Sequence, residues 1–161
     1  MVSLVDHQTT GARGCEEMAE QDLARLLLEG HRTLSADLVA TLDERGYTDV
    51  RAGHTTVFMH VDRRSGTRLT ELARRARMTK QGMMLVVDDL ESRGYVRRVP
   101  DSEDARAKVV RLTARGRRCA AECRRAVAAI EARTRRSLGD RRYEVLKEAL
   151  DEIVASPEGG V

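Results

Sequence analysis

Between Arg68 and Arg118 the chain is written as a short helix, a tight turn, a second helix ending in glycine, and a charged β-hairpin. The stretch is RLTELARRARMTKQGMMLVVDDLESRGYVRRVPDSEDARAKVVRLTARGRR. Thr70 is placed to N-cap the first of these helices, whose narrow apolar face is Leu72, Ala73 and Ala76. Thr79 is placed to N-cap the second. There Met83, Val86, Val87 and Leu90 fall at i, i+3, i+4 and i+7, the spacing of one buried stripe. Gly94 supplies a left-handed stop. Tyr95–Val99 and Ala107–Leu112 are rich in β-branched residues and flank a polar loop, with Pro100 at a strand end where its missing N–H does little harm. A helix of major-groove width followed by a basic hairpin is the pattern of a helix-turn-helix with a wing.

The flanks are helical. Leu23, Leu26, Leu27, Leu34, Leu38 and Leu42 predict a long helix from Glu16 to Arg45, capped by Gly46, after a tail over 1–15. His54–Val61 reads as a further helix with Val57, Phe58 and Val61 inward, broken by Ser65-Gly66. Thr113 opens another long helix to Leu138, with Cys119, Cys123, Val127 and Ile130 on its apolar side. Gly139-Asp140 separates it from a last helix lined by Tyr143, Leu146, Leu150, Ile153 and Val154. With 2% aromatic residues and no Trp, the core is built from Leu, Val, Ala and Met, which favours helices. The expected fold is mainly α with a small β-hairpin. Residues 16–50 and 114–156 supply dimerisation helices around a winged helix-turn-helix at 51–113, and 157–161 are a frayed tail. The end helices carry more apolar surface than one small domain buries, so a second copy related by a two-fold axis is the expected cover.

Charge is uneven. Arg51–Arg118 holds 17 Lys/Arg and 8 Asp/Glu, a balance of +9, while the remainder carries −6. A basic centre between acidic ends is suited to phosphate. The N-terminus has no apolar signal region and no later run approaches a membrane span, so a cytoplasmic protein without a membrane partner is expected. No nucleotide-binding glycine loop, nucleophile elbow or metalloprotease helix is present, so no enzymatic activity and no cofactor are expected. His7, His31, His54 and His60 show no ligand spacing, and no metal site is expected.

Thr79, Lys80 and Gln81 open the recognition helix, where free N–H groups and the positive dipole end face phosphate or base edges. Gln can pair with adenine, and Lys can reach guanine or phosphate. Arg74, Arg75 and Arg77 run into the turn as candidate phosphate contacts. Arg98 and Lys108 are candidate wing contacts; alternation sends Arg97 and Arg98 to opposite faces, so one of that pair is expected to meet DNA.

Three pieces, TKQGMMLVVDDLESRGYVRR, DSEDARAKVV and RLTARG, resemble the MarR family of bacterial transcriptional regulators. With the helix order around them, the resemblance covers about residues 17–155. It implies a homodimer on a palindromic double-stranded operator, usually repressing, and released by a small aromatic or phenolic ligand. It places Arg106 in the minor groove and gives Asp104 the task of holding the wing. It turns Met84 and Leu85, where relatives often carry polar residues, toward the groove and within reach of thymine methyl groups. It lines the ligand pocket from the first, second and fifth helices, with His31, Arg32, His54 and Phe58 as members and Arg32 as a partner for a carboxylate. Ala105 stands where relatives often carry Arg.

Two alternatives stay open. One is a regulator switched by oxidation of cysteine, although Cys119 and Cys123 sit on an apolar stripe and Cys15 precedes the first long helix. The other is a protein-binding adaptor that keeps the fold without DNA contact.

Overall fold

The computed structural model describes residues 22–104 and 106–155. The described residues form α1 Leu23–Glu44, α2 Ala52–His60, β1 Thr67–Arg68, α3 Leu69–Arg75, α4 Lys80–Ser92, β2 Val96–Pro100, β3 Lys108–Leu112, α5 Ala114–Leu138 and α6 Asp140–Ala155. The start of the first long helix, expected at Glu16, lies outside the described residues, as do Cys15 and His7. The chain divides into two compact units, up to Asp37 and from Leu38 onward, so the division falls inside α1. In the first unit Leu23, Leu26, Leu27, Leu28 and Leu34 are exposed.

The core of the second unit is the apolar set read from the sequence. Leu42, Val57, Leu72, Met83, Val87, Leu90 and Cys119 are fully buried. The stripe of α4 thus faces inward, with Val86 partly covered at its margin. Thr79 Oγ1 accepts the backbone N–H of Gly82 at 3.0 Å and caps α4, and Thr113 does the same for Gly116 at 3.1 Å at the head of α5.

The sheet has three antiparallel strands in the order β1-β3-β2. The hairpin register runs from Val96 opposite Leu112 to Pro100 opposite Lys108, so Pro100 occupies the terminal pair. The short β1 was not expected. Its two residues pair Thr67 with Val110 and Arg68 with Val109, a run too short to show a period of two. This strand also corrects the cap of α3. Extended Arg68 is the N-cap, and Thr70 lies inside the first turn, because the helix begins where strand pairing stops. α2 likewise starts at Ala52 rather than His54, because the His54 side chain closes back on the N-cap backbone of Arg51.

Two glycines are fixed by close approach. Gly66 has φ +78°, and a Cβ there would lie 2.6 Å from Arg111 Cγ and 2.8 Å from the Val110 carbonyl oxygen. A Cβ on Gly116 would lie 1.9 Å from the Tyr95 carbonyl oxygen, so α5 packs directly on the chain entering β2.

Candidate nucleic-acid interface and ligand groove

α4 carries its exposed residues opposite its buried stripe. Lys80, Gln81, Met84, Leu85 and Asp88 are exposed, while Met83, Val87 and Leu90 are buried. Thr79 Oγ1 accepts the cap bond from Gly82 N–H, which leaves its O–H free to donate.

The wing loop is built on carboxylates. Asp104 Oδ1 accepts the N–H of Arg106 at 3.0 Å, and the Asp104 carbonyl accepts that of Ala107 at 2.9 Å. Asp101 accepts from Glu103 N at 3.1 Å and from Arg68 Nε at 2.7 Å, tying β1 to the loop. Those two bonds hold the Asp101 carboxyl below its usual range. Arg106 and Lys108 are exposed, and among the described residues no ion pair holds either side chain.

Arg98 has a different setting. Its backbone N–H and guanidinium bond to Glu91, and Nη2 reaches Asp88 at 2.5 Å. Burial opposes its charge, but the two carboxylates win and its pKa is raised. The side chain is 25% exposed, so Arg98 clamps the wing strand to α4, while Arg97 is the exposed member of the pair. Strand alternation separated them as expected.

Arg74 and Arg75 share one carboxylate. Arg74 grips Glu71 through two bonds of 2.8 Å, and Arg75 Nε reaches it at 2.7 Å. Hydrogen bonds from the two guanidinium groups lower the Glu71 carboxyl to about 2. Two cations on one anion leave one positive charge on this exposed face. Arg77 forms the turn before α4 with φ +50°, an uncommon conformation for a side-chain-bearing residue, and its Nη2 donates to the Val154 carbonyl at 3.3 Å.

A second feature is an apolar cavity of about 180 Å³ between α2 and α5. Phe58, Met59, Cys123 and the small Ala120 and Ala128 line it, with Arg124 and Glu131 at its charged margin. Of the four residues assigned to a ligand pocket, Phe58 lies here. His54 is buried and fully bonded, with Nδ1 accepting from Arg51 N at 3.1 Å and Nε2 against Asp89 Oδ2 at 2.8 Å. His31 and Arg32 belong to the first unit, where Arg32 pairs with Glu29 and His31 lies 3.5 Å from Ser35. Sequence reasoning missed Met59 and Arg124. The available signal was the alternation of alanine with longer side chains on α5, because small residues at helical spacing leave room against a facing helix.

Cys119 and Cys123 are buried and free. Their mutual hydrogen bond is the main cause of their opposed shifts, with Cys119 pushed up and Cys123 lowered. No helix of the described residues is long and apolar enough to cross a membrane, and among them no group of three His, Cys, Asp or Glu could hold a metal.

The sequence model of the MarR family matches residues 45–107, from the end of α1 into the wing loop. Over that segment the chain is similar to the MarR family. Among curated proteins, none matches the chain. Solved structures share the fold well beyond the matched segment. CouR from Rhodococcus jostii RHA1, bound to p-coumaroyl-CoA, is 22% identical with a TM-score of 0.70, over 88% of this chain and 97% of that one. The transcriptional repressor CouR bound to a 23-mer DNA duplex is 23% identical with a TM-score of 0.71, over 92% and 99%. A Mycobacterium tuberculosis MarR-family protein in complex with p-aminosalicylic acid is 27% identical with a TM-score of 0.61, over 83% and 99%. The shared MarR fold is mainly helical with a small antiparallel sheet, as the sequence led one to expect.

Proposed function

We propose that this chain is a DNA-binding transcriptional regulator that acts in the cytoplasm as a homodimer. Its target is a palindromic double-stranded operator, which it represses until a small aromatic ligand enters the α2–α5 cavity. The observation that carries this reading is the exposed face of α4 together with a wing loop, joined to it through Arg98, whose exposed Arg106 side chain is held by no ion pair among the described residues. Thr79, Lys80, Gln81 and Met84 meet the major groove, Arg106 the minor groove, and Lys108 with Arg74, Arg75 or Arg77 the phosphates. Arg98 and Asp104 act by holding the wing. Val145, Leu146, Ile153 and Val154 of α6, and in the first unit the exposed leucines of α1, are apolar residues a second copy would cover. Dimerisation would set the two recognition helices roughly 34–36 Å apart, about one duplex turn. CouR on DNA, CouR with p-coumaroyl-CoA, and the Mycobacterium tuberculosis protein with p-aminosalicylic acid support both partner classes.

Ligand release needs a differential affinity for two states of the protein. α2 supplies Phe58 and Met59 to the cavity and His54 to the bond with α4, so a ligand that favours a shifted α2 also favours a shifted recognition helix. The deciding experiment is titration with salt of binding to DNA upstream of the chain's own gene. Selective binding that falls steeply with salt and is weakened by Arg106→Ala is expected. Equal, weak binding of both proteins to all DNA would refute the reading in favour of the adaptor.

A second reading, a thiol-switched regulator, draws on Cys123, a lowered thiol in the cavity wall. Replacement of all three cysteines by serine should then abolish any response to oxidant; an unchanged response sinks it.

A further inference from the structure

The middle of the recognition helix carries almost no polar chemistry. Gly82 to Val87 reads GMMLVV, six residues without a polar side chain. Met83 and Val87 are buried, but Met84 and Leu85 are 41% and 65% exposed. They stand one turn beyond Lys80 and Gln81 on the same face. One turn further, Asp88 is paired with Arg98, which it shares with Glu91. The surrounding segment carries +9, complementary to a polyanion and ill suited to an apolar protein partner.

We propose that Met84 and Leu85 read the C5-methyl groups of thymine, so that the second turn of α4 selects A·T pairs whose methyl faces the helix. This rests on the regulator reading. In the major groove thymine alone offers an apolar group; guanine and cytosine present only acceptors or donors. Pressing those polar edges against Met and Leu would strip their water and leave them unpaired. Sealing a methyl against an apolar side chain carries the opposite sign, at about fourfold in affinity per methyl. Lys80 and Gln81 would read the neighbouring pairs by hydrogen bonds, and the apolar turn would read by shape and burial.

Selection of a randomised duplex pool with the full chain yields a bound sequence. That duplex is resynthesised with deoxyuridine at each thymine in turn, which removes only the C5-methyl. At one or two thymines per half-site, uracil should weaken binding about fourfold. At those sites Leu85→Ala or Met84→Ala should bind the thymine and uracil duplexes equally. A selected duplex that no uracil weakens would overturn the methyl reading and leave the regulator reading standing. Persistent uracil sensitivity in both variants would overturn the assignment to these two residues. Failure of any sequence to be enriched would overturn the regulator reading and this inference with it.

Discussion

His54 of α2 and Asp89 of α4 are joined at 2.8 Å, Nε2 to Oδ2. His54 Nδ1 accepts the backbone N–H of Arg51, so the tautomer with its proton on Nε2 satisfies both partners at once. Asp89 is held from its other side by Arg93 Nε at 2.8 Å. Phe58, one turn further along α2, lines the apolar cavity. One short helix therefore touches both the cavity and the recognition helix.

Truncation at this bond should be costly. His54→Ala removes two hydrogen bonds from a residue only 3% exposed and leaves the Arg51 N–H and an Asp89 oxygen short of a partner. The expected loss is about 2–4 kcal/mol of folding stability, measured by urea unfolding.

The same residue sets a pH dependence. Burial pushes the His54 pKa below its ordinary value, against the pull of Asp89, with Arg93 and Arg51 adding to the depression. The unfolded chain then binds more protons than the folded one as the medium acidifies. His54's contribution is full above its unfolded pKa of about 6.5 and is lost as pH falls through the folded value. Wild type should lose more stability between about pH 7.5 and 5.5 than His54→Gln. Parallel losses in the two proteins would refute this.

Arg98 and Arg106 should separate in a salt titration. Arg106→Ala removes a groove contact, and is expected to cost about 1–3 kcal/mol of DNA affinity and to flatten the slope of log affinity against log salt by about 0.9. Arg98→Ala breaks the clamp to Glu91 and Asp88 and leaves two unneutralised carboxylates on α4. It should weaken DNA binding with the slope nearly unchanged, because no phosphate contact is lost. A reduced slope for Arg98→Ala would show that Arg98 itself reaches DNA.

Tyr95 should matter through its hydroxyl. It donates to Asp49 Oδ1 at 2.6 Å, while Arg115 bonds both Asp49 oxygens at 3.0 Å and lies 4.2 Å over the Tyr95 ring. Tyr95→Phe removes one bond and leaves Asp49 its arginine, at a cost of about 1 kcal/mol. Asp49→Ala strands a fully buried phenol and should cost about 2–3 kcal/mol. Thermal unfolding of the two variants tests the order.

The elements legible in the sequence were those whose signal is periodic or local. The stripe Met83–Val87–Leu90, the caps Thr79 and Thr113, and the glycine stop at Gly94 depend on neighbours within one or two turns. What escaped depends on residues distant in sequence. β1 exists only because Val109 and Val110 arrive some forty residues later, and the cap of α3 moves with it. Arg98 looked like a free cation because Asp88 and Glu91 face it from another element. His54 looked available for a ligand because nothing local announces Asp89. The cavity was legible only in part, since its walls come from α2 and α5 and its volume from alanines that carry no chemical signature.

The same substitution at two helical glycines should act with opposite sign. Gly53, in the first turn of α2, is exposed, and a Cβ there meets nothing within 4 Å. Gly53→Ala lowers the entropy of the unfolded chain without a clash, so a gain of about 0.5 kcal/mol is expected. Gly116, in the first turn of α5, would place its Cβ 1.9 Å from the Tyr95 carbonyl oxygen and 2.9 Å from the carbonyl carbon. Both are backbone atoms, so relief requires moving the helix. That would disturb the bonds from Thr113 Oγ1 to the Gly94 carbonyl at 2.6 Å and from Thr113 N to the Tyr95 carbonyl at 3.0 Å. Gly116→Ala should therefore cost about 3 kcal/mol and loosen the junction that sets the wing against α5. Urea unfolding of the two variants checks the signs. A neutral Gly116→Ala would mean that α5 moves away from β2 at little cost.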